Sequence, residues 1–400
     1  MQSTRSFFFL TSVLSLYPKI SAFMGISVGV GISISGNPPP PDTTANIEYI
    51  ALQSFKSSIC DDPKRILSSW IGPNICSYKG IFCSDPPERL PSPSLVVAVL
   101  DLNGANLVGT LTPDLSLLSH LSALHLNSNR FSGSIPLSLS NLQYLSELDL
   151  SNNLFSGPFP SSTLQIPNLI YLDLRFNSFS GQIPDELFQN SNLDAIFLND
   201  NQFQGEIPFT LWSSSASAIT LANNQLTGSI PVSFGYSGSG LKEILLLNNS
   251  LSGCIPEEVG YATGMQVLDL SFNSLTGHLP DSISCLAGIE VLNIAHNKLS
   301  GELPEIVCDL RSLMNLTVSY NFFSGVSNDC ARLWFRNVGF DLAGNCIPGR
   351  DLQRPAPECD GSSAGSLSCF GLPGMRPAGC GGAGGGGMRG SPYFFRVSVP

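Results

Sequence analysis

The chain has 400 residues, 42% of them apolar and only 12% charged, with 30 acidic against 19 basic side chains and a net charge of −11. That balance excludes a nucleic-acid partner, which needs cationic surface against phosphate, and it favours a cationic partner. Four hundred residues would serve two or three ordinary domains unless one motif repeats along them.

Residues 1–22 carry a lone Arg5, an apolar run from Ser6 to Tyr17 and the small pair Ser21-Ala22, the pattern of a secretory signal peptide. Pro18 and Lys19 interrupt the run and argue against a membrane span. Residues 23–46 form a low-complexity Gly/Pro spacer; Gly29-Val-Gly31 lacks both the full dinucleotide motif and a subsequent helix. Residues 47–96 read as an amino-terminal cap. Ile47, Ile50, Ala51, Phe55 and Ile59 fall near helical spacing and predict an amphipathic helix that lays its apolar side on the first rung of the repeat array. Trp70 reads as a core anchor, and Cys76 and Cys83 are close enough for one small loop.

From 97 to 326 one phrase of about 24 residues is written ten times as L-x-x-L-x-L-x-x-N-x-[LF]-[ST]-G-x-I-P, nearly unaltered from Leu121 to Pro136. Its ladder position falls at Ala105, Asn129, Asn153, Asn177, Asn201, Asn224, Asn249, Asn273, Asn297 and Asn321. Such a period means an α/β repeat solenoid, a leucine-rich-repeat horseshoe or superhelix of about ten repeats, because one unit buries too little apolar surface to fold alone. The leucines point inward from one short strand per turn. The asparagine satisfies backbone groups at the corner where the chain leaves the strand. The L-x-G-x-I-P ending resembles the plant extracellular subtype of the repeat.

Residues 327–360 break the pattern and read as a Cys-containing carboxy-terminal cap; residues 361–400 are Gly-dominated and predict a disordered tail. Most of the eleven cysteines lie at the two ends of the array, and none has the doubled C-x-x-C spacing of a zinc site. They read as disulfide staples of an oxidising compartment, with Cys76, Cys83, Cys308, Cys330, Cys346 and Cys359 as candidates. The odd total leaves at least one free thiol or one bridge to another chain.

Four phrases are more specific than the repeat: Cys76-Ser-Tyr-Lys-Gly-Ile-Phe-Cys83, Asn293-Ile-Ala-His296-Asn297-Lys-Leu-Ser-Gly301, Ser319-Tyr320-Asn321-Phe322-Phe323 and Asn345-Cys-Ile-Pro-Gly-Arg350. In these the chain resembles the leucine-rich-repeat extensin proteins of plant cell walls, pollen forms included, from about Ile47 to Cys359. The resemblance implies a secreted wall protein that binds small basic cysteine-rich peptides of the rapid-alkalinisation-factor type, and it implies a covalent homodimer. The repeated Ser-Pro-Pro-Pro-Pro module of that family is absent here, the mark of a short relative. Cys60 and Cys285 are additions to the family's pattern.

The positions flanking the strand leucines predict columns on the concave face. They place Asp101, His125, Glu147, Asp149, Tyr171, Asp173, Phe197, Glu243, Leu245 and Asp269 there, acids mixed with apolar and aromatic groups around the single base Arg175. Charge would steer a basic peptide and ring surface would hold it. Sequons stand at Asn248 and Asn315, and sugar on Asn315 would push the ligand toward the amino-terminal and middle rungs. The four histidines are scattered, and the array holds no nucleophile elbow or phosphate loop. Glu147 and Asp149 are neighbouring outward strand positions, which explains them without glycosidase chemistry. The expectation is therefore a non-enzymatic recognition protein without cofactor or metal. Wall polysaccharide and a receptor kinase are further partners, and the alternatives are a polygalacturonase-inhibitor-like binder or a structural wall component.

Overall fold

A computed structural model describes residues 43–87, 95–232 and 240–360. The expected signal peptide, the spacer as far as residue 42 and the Gly-rich tail lie outside the described residues.

The repeat phrase folds as its spacing requires. One sheet of twelve strands begins with the antiparallel strand Ile81–Ser84 and continues through eleven parallel rungs. Rung 1 is Val96–Asp101, succeeded by Ala123–His125, Glu147–Asp149, Tyr171–Asp173 and Ala195–Phe197. Rungs 6 to 11 are Ala218–Thr220, Glu243–Leu245, Val267–Asp269, Val291–Asn293, Asn315–Thr317 and Gly339–Asp341. On the other side of each coil a short strand such as Arg130–Gly133 pairs into a second sheet, which is broken between Gln225–Thr227 and Ser252–Cys254. The proline closing a repeat then starts a one-turn 3-10 helix, as Pro136 does for Leu137–Asn141 and Pro184 for Asp185–Gln189, because a fixed φ and a missing N–H suit that position.

The ladder asparagines hold the corners as expected. Asn129 Nδ2 donates to Leu102 O and Leu126 O at 2.9 Å, and its Oδ1 accepts the Leu107 N–H at 2.8 Å. Each amide thus joins its own rung to the one before. Inside the coil, Phe55, Phe131, Phe155, Phe179 and Phe203 form a buried stack with centroids 5.8 to 6.4 Å apart.

The array runs one rung beyond the ten expected. Asn345, 24 residues after Asn321, is another ladder residue: Phe323 N–H donates to its Oδ1 at 3.1 Å and its Nδ2 donates to Val318 O at 3.1 Å. The segment from 327 therefore contains a coil as well as a cap. Asn337 and Phe340 stand where two of the three leucines would be, so the phrase is hidden while its backbone geometry is kept.

The amino-terminal helix α1 is Thr43–Ser57. Its inner side is Glu48, Ala51, Leu52 and Phe55, whereas Ile47 and Ile50 are 43% and 54% exposed. Ala51 and Phe55 face inward as expected; the correction is at Ile47 and Ile50, and Ile59 lies past the helix in the strand Ile59–Asp61. Glu48 faces inward, where its Oε1 accepts the Val97 N–H at 3.1 Å at the start of rung 1. Trp70 is the expected anchor, 1% exposed, stacked on Tyr78 and donating from Nε1 to Lys79 O. All six candidate cysteines are bonded, as Cys76–Cys83, Cys308–Cys330 and Cys346–Cys359. Cys254 and Cys285 are disulfide-bonded too, and Cys60 is free and exposed. Among the described residues no helix is long and apolar enough to cross a membrane.

Candidate functional site

Strand register carries the predicted columns into the structure unchanged. Glu147 lies beside Tyr171 and Asp149 beside Asp173; Tyr171 and Asp173 lie beside Ala195 and Phe197. Further along, Glu243 and Leu245 lie beside Val267 and Asp269. The ten candidate residues therefore share one face over rungs 1 to 8.

Their electrostatics are more internal than a count of acids implies. Each strand-end aspartate uses Oδ1 to close a turn over the N–H two residues on: Asp101 to Asn103, Asp149 to Ser151, Asp173 to Arg175 and Asp269 to Ser271, at 2.9 to 3.1 Å. This Asx-type bond explains why Asp recurs here irrespective of any ligand. His125 Nε2 pairs with Glu147 Oε2 at 3.0 Å; burial lowers its pKa, but Glu147, Asp101 and Asp149 outweigh burial and leave it raised. Arg175 Nε pairs with Asp173 Oδ2 at 2.8 Å, the Tyr171 hydroxyl donates to the same oxygen, and the Arg175 guanidinium lies 5.1 Å from the centre of the Phe197 ring.

Three of the acids are buried. Asp173 is fully enclosed, and burial, opposed by Arg175, raises its carboxyl to about 7. Burial and then Glu290 raise Glu243 to about 7, and burial raises Asp269 as well. The fixed negative charge open to a ligand is thus concentrated at half-buried Asp101 and Asp149, with Glu147 shared with His125. Beside them, the Tyr171 and Phe197 rings meet edge to face at 5.5 Å. Beyond that pair the face shrinks to Ala195, Ala218 and Ala222 before Leu245 and Leu247. The result is a half-apolar strip with an acidic start.

The sequons differ in setting. Asn248 is exposed just past rung 7, whereas Asn315 is half-buried within rung 10 and its Oδ1 accepts from Thr317 Oγ1 at 2.9 Å. Among the described residues no cluster of His, Cys, Asp or Glu could hold a metal ion.

One group escaped the sequence reading. The residue before each ladder asparagine has a positive φ, including Phe176, Phe272, His296 and Tyr320 at 53 to 57°, a region bulky side chains rarely adopt. The strand-to-corner turn imposes it: from Ser128 to Tyr320 the N–H of each such residue bonds a carbonyl of the next rung, as Phe272 does with Ala295 and Tyr320 with Ala343. These side chains make a column along the rim. The alignment of repeats contains the column, one place before the ladder, but nothing in the phrase marks it as exposed.

A solenoid with these rungs, amide ladders and capped ends is a leucine-rich-repeat protein. Its family models agree, with "Leucine rich repeat N-terminal domain" matching residues 45–84 and "Leucine Rich Repeat" matching 120–142, 144–165, 168–190, 264–286 and 288–310. More narrowly, over about a fifth of its length the chain is similar to the leucine-rich repeat extensin-like proteins. It is 46% identical over 78 residues to pollen-specific leucine-rich repeat extensin-like protein 1 of Arabidopsis thaliana, 19% of this chain and 8% of that one. It is 45% identical over 89 residues to leucine-rich repeat extensin-like protein 6 of the same plant, 22% of this chain and 18% of that one. The match therefore spans less than a fifth of the length of these curated relatives. Among solved structures, a plant ice-binding protein has a TM-score of 0.62 and 27% identity, covering 76% of this chain and 97% of that one. The Arabidopsis receptor kinase HAESA, in complex with the peptide hormone IDA and the co-receptor SERK1, has a TM-score of 0.55 and 29% identity over 76% of this chain and 58% of that one. The peptide hormone receptor RGFR1 in complex with RGF2 has a TM-score of 0.53 and 28% identity over 60% and 42%.

Proposed function

We propose that this chain is a secreted, wall-associated recognition protein whose concave face binds a small basic, cysteine-rich peptide, and that it is not an enzyme. The observation that carries the reading is the strip on rungs 1 to 5, where Asp149 offers carboxylate charge one rung before the Tyr171–Phe197 pair and Asp101 extends it to rung 1. Charge brings a cationic peptide in, and aromatic surface holds it once water is displaced. HAESA and RGFR1, two proteins of the same fold, were solved with peptide hormones bound, which supports a peptide as the class of ligand. The disulfides fit an extracellular setting.

Calorimetric titration of the folded, disulfide-intact chain with synthetic basic cysteine-rich peptides tests the reading. Saturable binding that weakens with salt and is lost in Asp101→Lys/Asp149→Lys supports it. Binding of equal strength in that variant, or inhibition of a fungal polygalacturonase with no peptide bound, sinks it.

A further inference from the structure

Away from the concave face, the second sheet carries a row of glutamines. Three of its consecutive strands, Ser178–Gly181, Gln202–Glu206 and Gln225–Thr227, pair in parallel. Gln204 lies beside Gln225, and continuing the pairing of Gly181 with Phe203 by one residue puts Gln182 beside Gln204. The three therefore follow one another from strand to strand along the solenoid, about 4.8 Å apart. The repeat phrase hides the row, since its members stand five, three and one residues after the ladder positions Asn177, Asn201 and Asn224. Strand alternation sets their direction: Phe203 and Leu226 beside them are buried, whereas all three glutamines are exposed.

The row borders an open groove of about 550 Å³ lined by Gln182, Gln204, Gly205, Gln225, Thr227 and Ser250, a volume within the range of small-ligand sites. None of the six is charged. Among the described residues, no hydrogen bond inside the chain occupies the side chains of the five that have one. A Cβ at Gly205 would stand 3.0 Å from Gln182 Cγ, so the missing side chain leaves the room in which Gln182 lies. We infer that this groove binds a neutral, polyhydroxylated glycan chain laid along the row, with successive sugars meeting Gln182, Gln204 and Gln225. A primary amide offers a carbonyl acceptor and two N–H donors, so each glutamine can take two adjacent hydroxyls of one sugar. The spacing of the row is close to the advance per sugar of an extended chain. The Thr227 and Ser250 hydroxyls add donors and acceptors at one end. A polyuronate fits poorly: it would bring a carboxylate to a groove that has no base, on a chain whose net charge is −11.

This inference rests on the wall-associated part of the proposed function and not on peptide binding, so failure of the peptide titration leaves it intact and its own failure leaves the peptide reading intact. The test is native gel electrophoresis of the full, disulfide-intact chain through gels holding xyloglucan, polygalacturonate or no polysaccharide. Wild type is run beside Gln204→Ala/Gln225→Ala and beside Asp101→Lys/Asp149→Lys. Xyloglucan should retard the wild type and the concave-face variant alike, relative to the gel without polysaccharide. The glutamine variant should need about tenfold or more xyloglucan for the same retardation, because two amides that bond the sugar are gone. Its Tm should stay in place, since exposed side chains without partners add little to stability. A wild type that xyloglucan does not retard, a glutamine variant retarded as strongly as the wild type, or equal retardation by polygalacturonate overturns the inference.

Discussion

Asp173 offers a test whose sign is as informative as its size. Its carboxyl is fully buried between Tyr171 and Arg175, and burial outweighs the guanidinium, raising it from 3.8 to about 7. A group that holds its proton more tightly when folded contributes its stability in full below the unfolded pKa. That contribution is lost as pH rises through the folded value. Across the window from 3.8 to about 7 the loss is about 4 kcal/mol as an upper bound. Asp173→Asn removes the titration and keeps the shape. Urea unfolding of wild type and variant at intervals from pH 4 to pH 8 should therefore show the wild type losing ground to Asp173→Asn as pH rises. Glu243 titrates in the same window in both proteins and cancels in the difference. A wild type that gains on the variant above pH 5 would show that the Arg175 ion pair, not burial, controls the carboxyl, and the reasoning about the concave face would fall with it.

Asn153→Ala removes bonds to Leu126 O, Leu150 O and the Phe131 N–H; leaving such buried backbone groups unpaired costs about 3 kcal/mol in chemical denaturation, and a loss under 1 kcal/mol would contradict the ladder's role. Gly80→Ala places a Cβ 2.5 Å from Asp101 O at a φ of +86°, so the amino-terminal cap should detach from rung 1 and become sensitive to limited proteolysis while the later rungs stay protected. Asp149→Lys should weaken a basic peptide about tenfold or more at low salt, mostly through the association rate, and less at high salt; surface plasmon resonance at two ionic strengths measures both.

Periodicity made the solenoid, the inward leucines and the concave columns legible, because strand alternation and a fixed repeat length leave side-chain direction no freedom. For the same reason the sequence alone assigns Asn129 and its equivalents a corner role and Trp70 a core role. Column membership did not reveal environment. Asp101 and Asp173 occupy the same repeat position, yet one is half-buried and the other fully enclosed under Tyr171 and Arg175, since enclosure depends on what neighbouring rungs contribute.

By itself, then, the sequence determined the period, the ladder, the strand faces and the six cap cysteines, all consequences of local geometry repeated along one axis. Only the tertiary structure decided that Glu48 turns inward while Ile47 and Ile50 face outward, that Asn345 carries an eleventh rung, and that Phe272, His296 and Tyr320 form a stack. Those outcomes depend on residues far apart in sequence competing for the same backbone groups and the same space, which no single repeat contains.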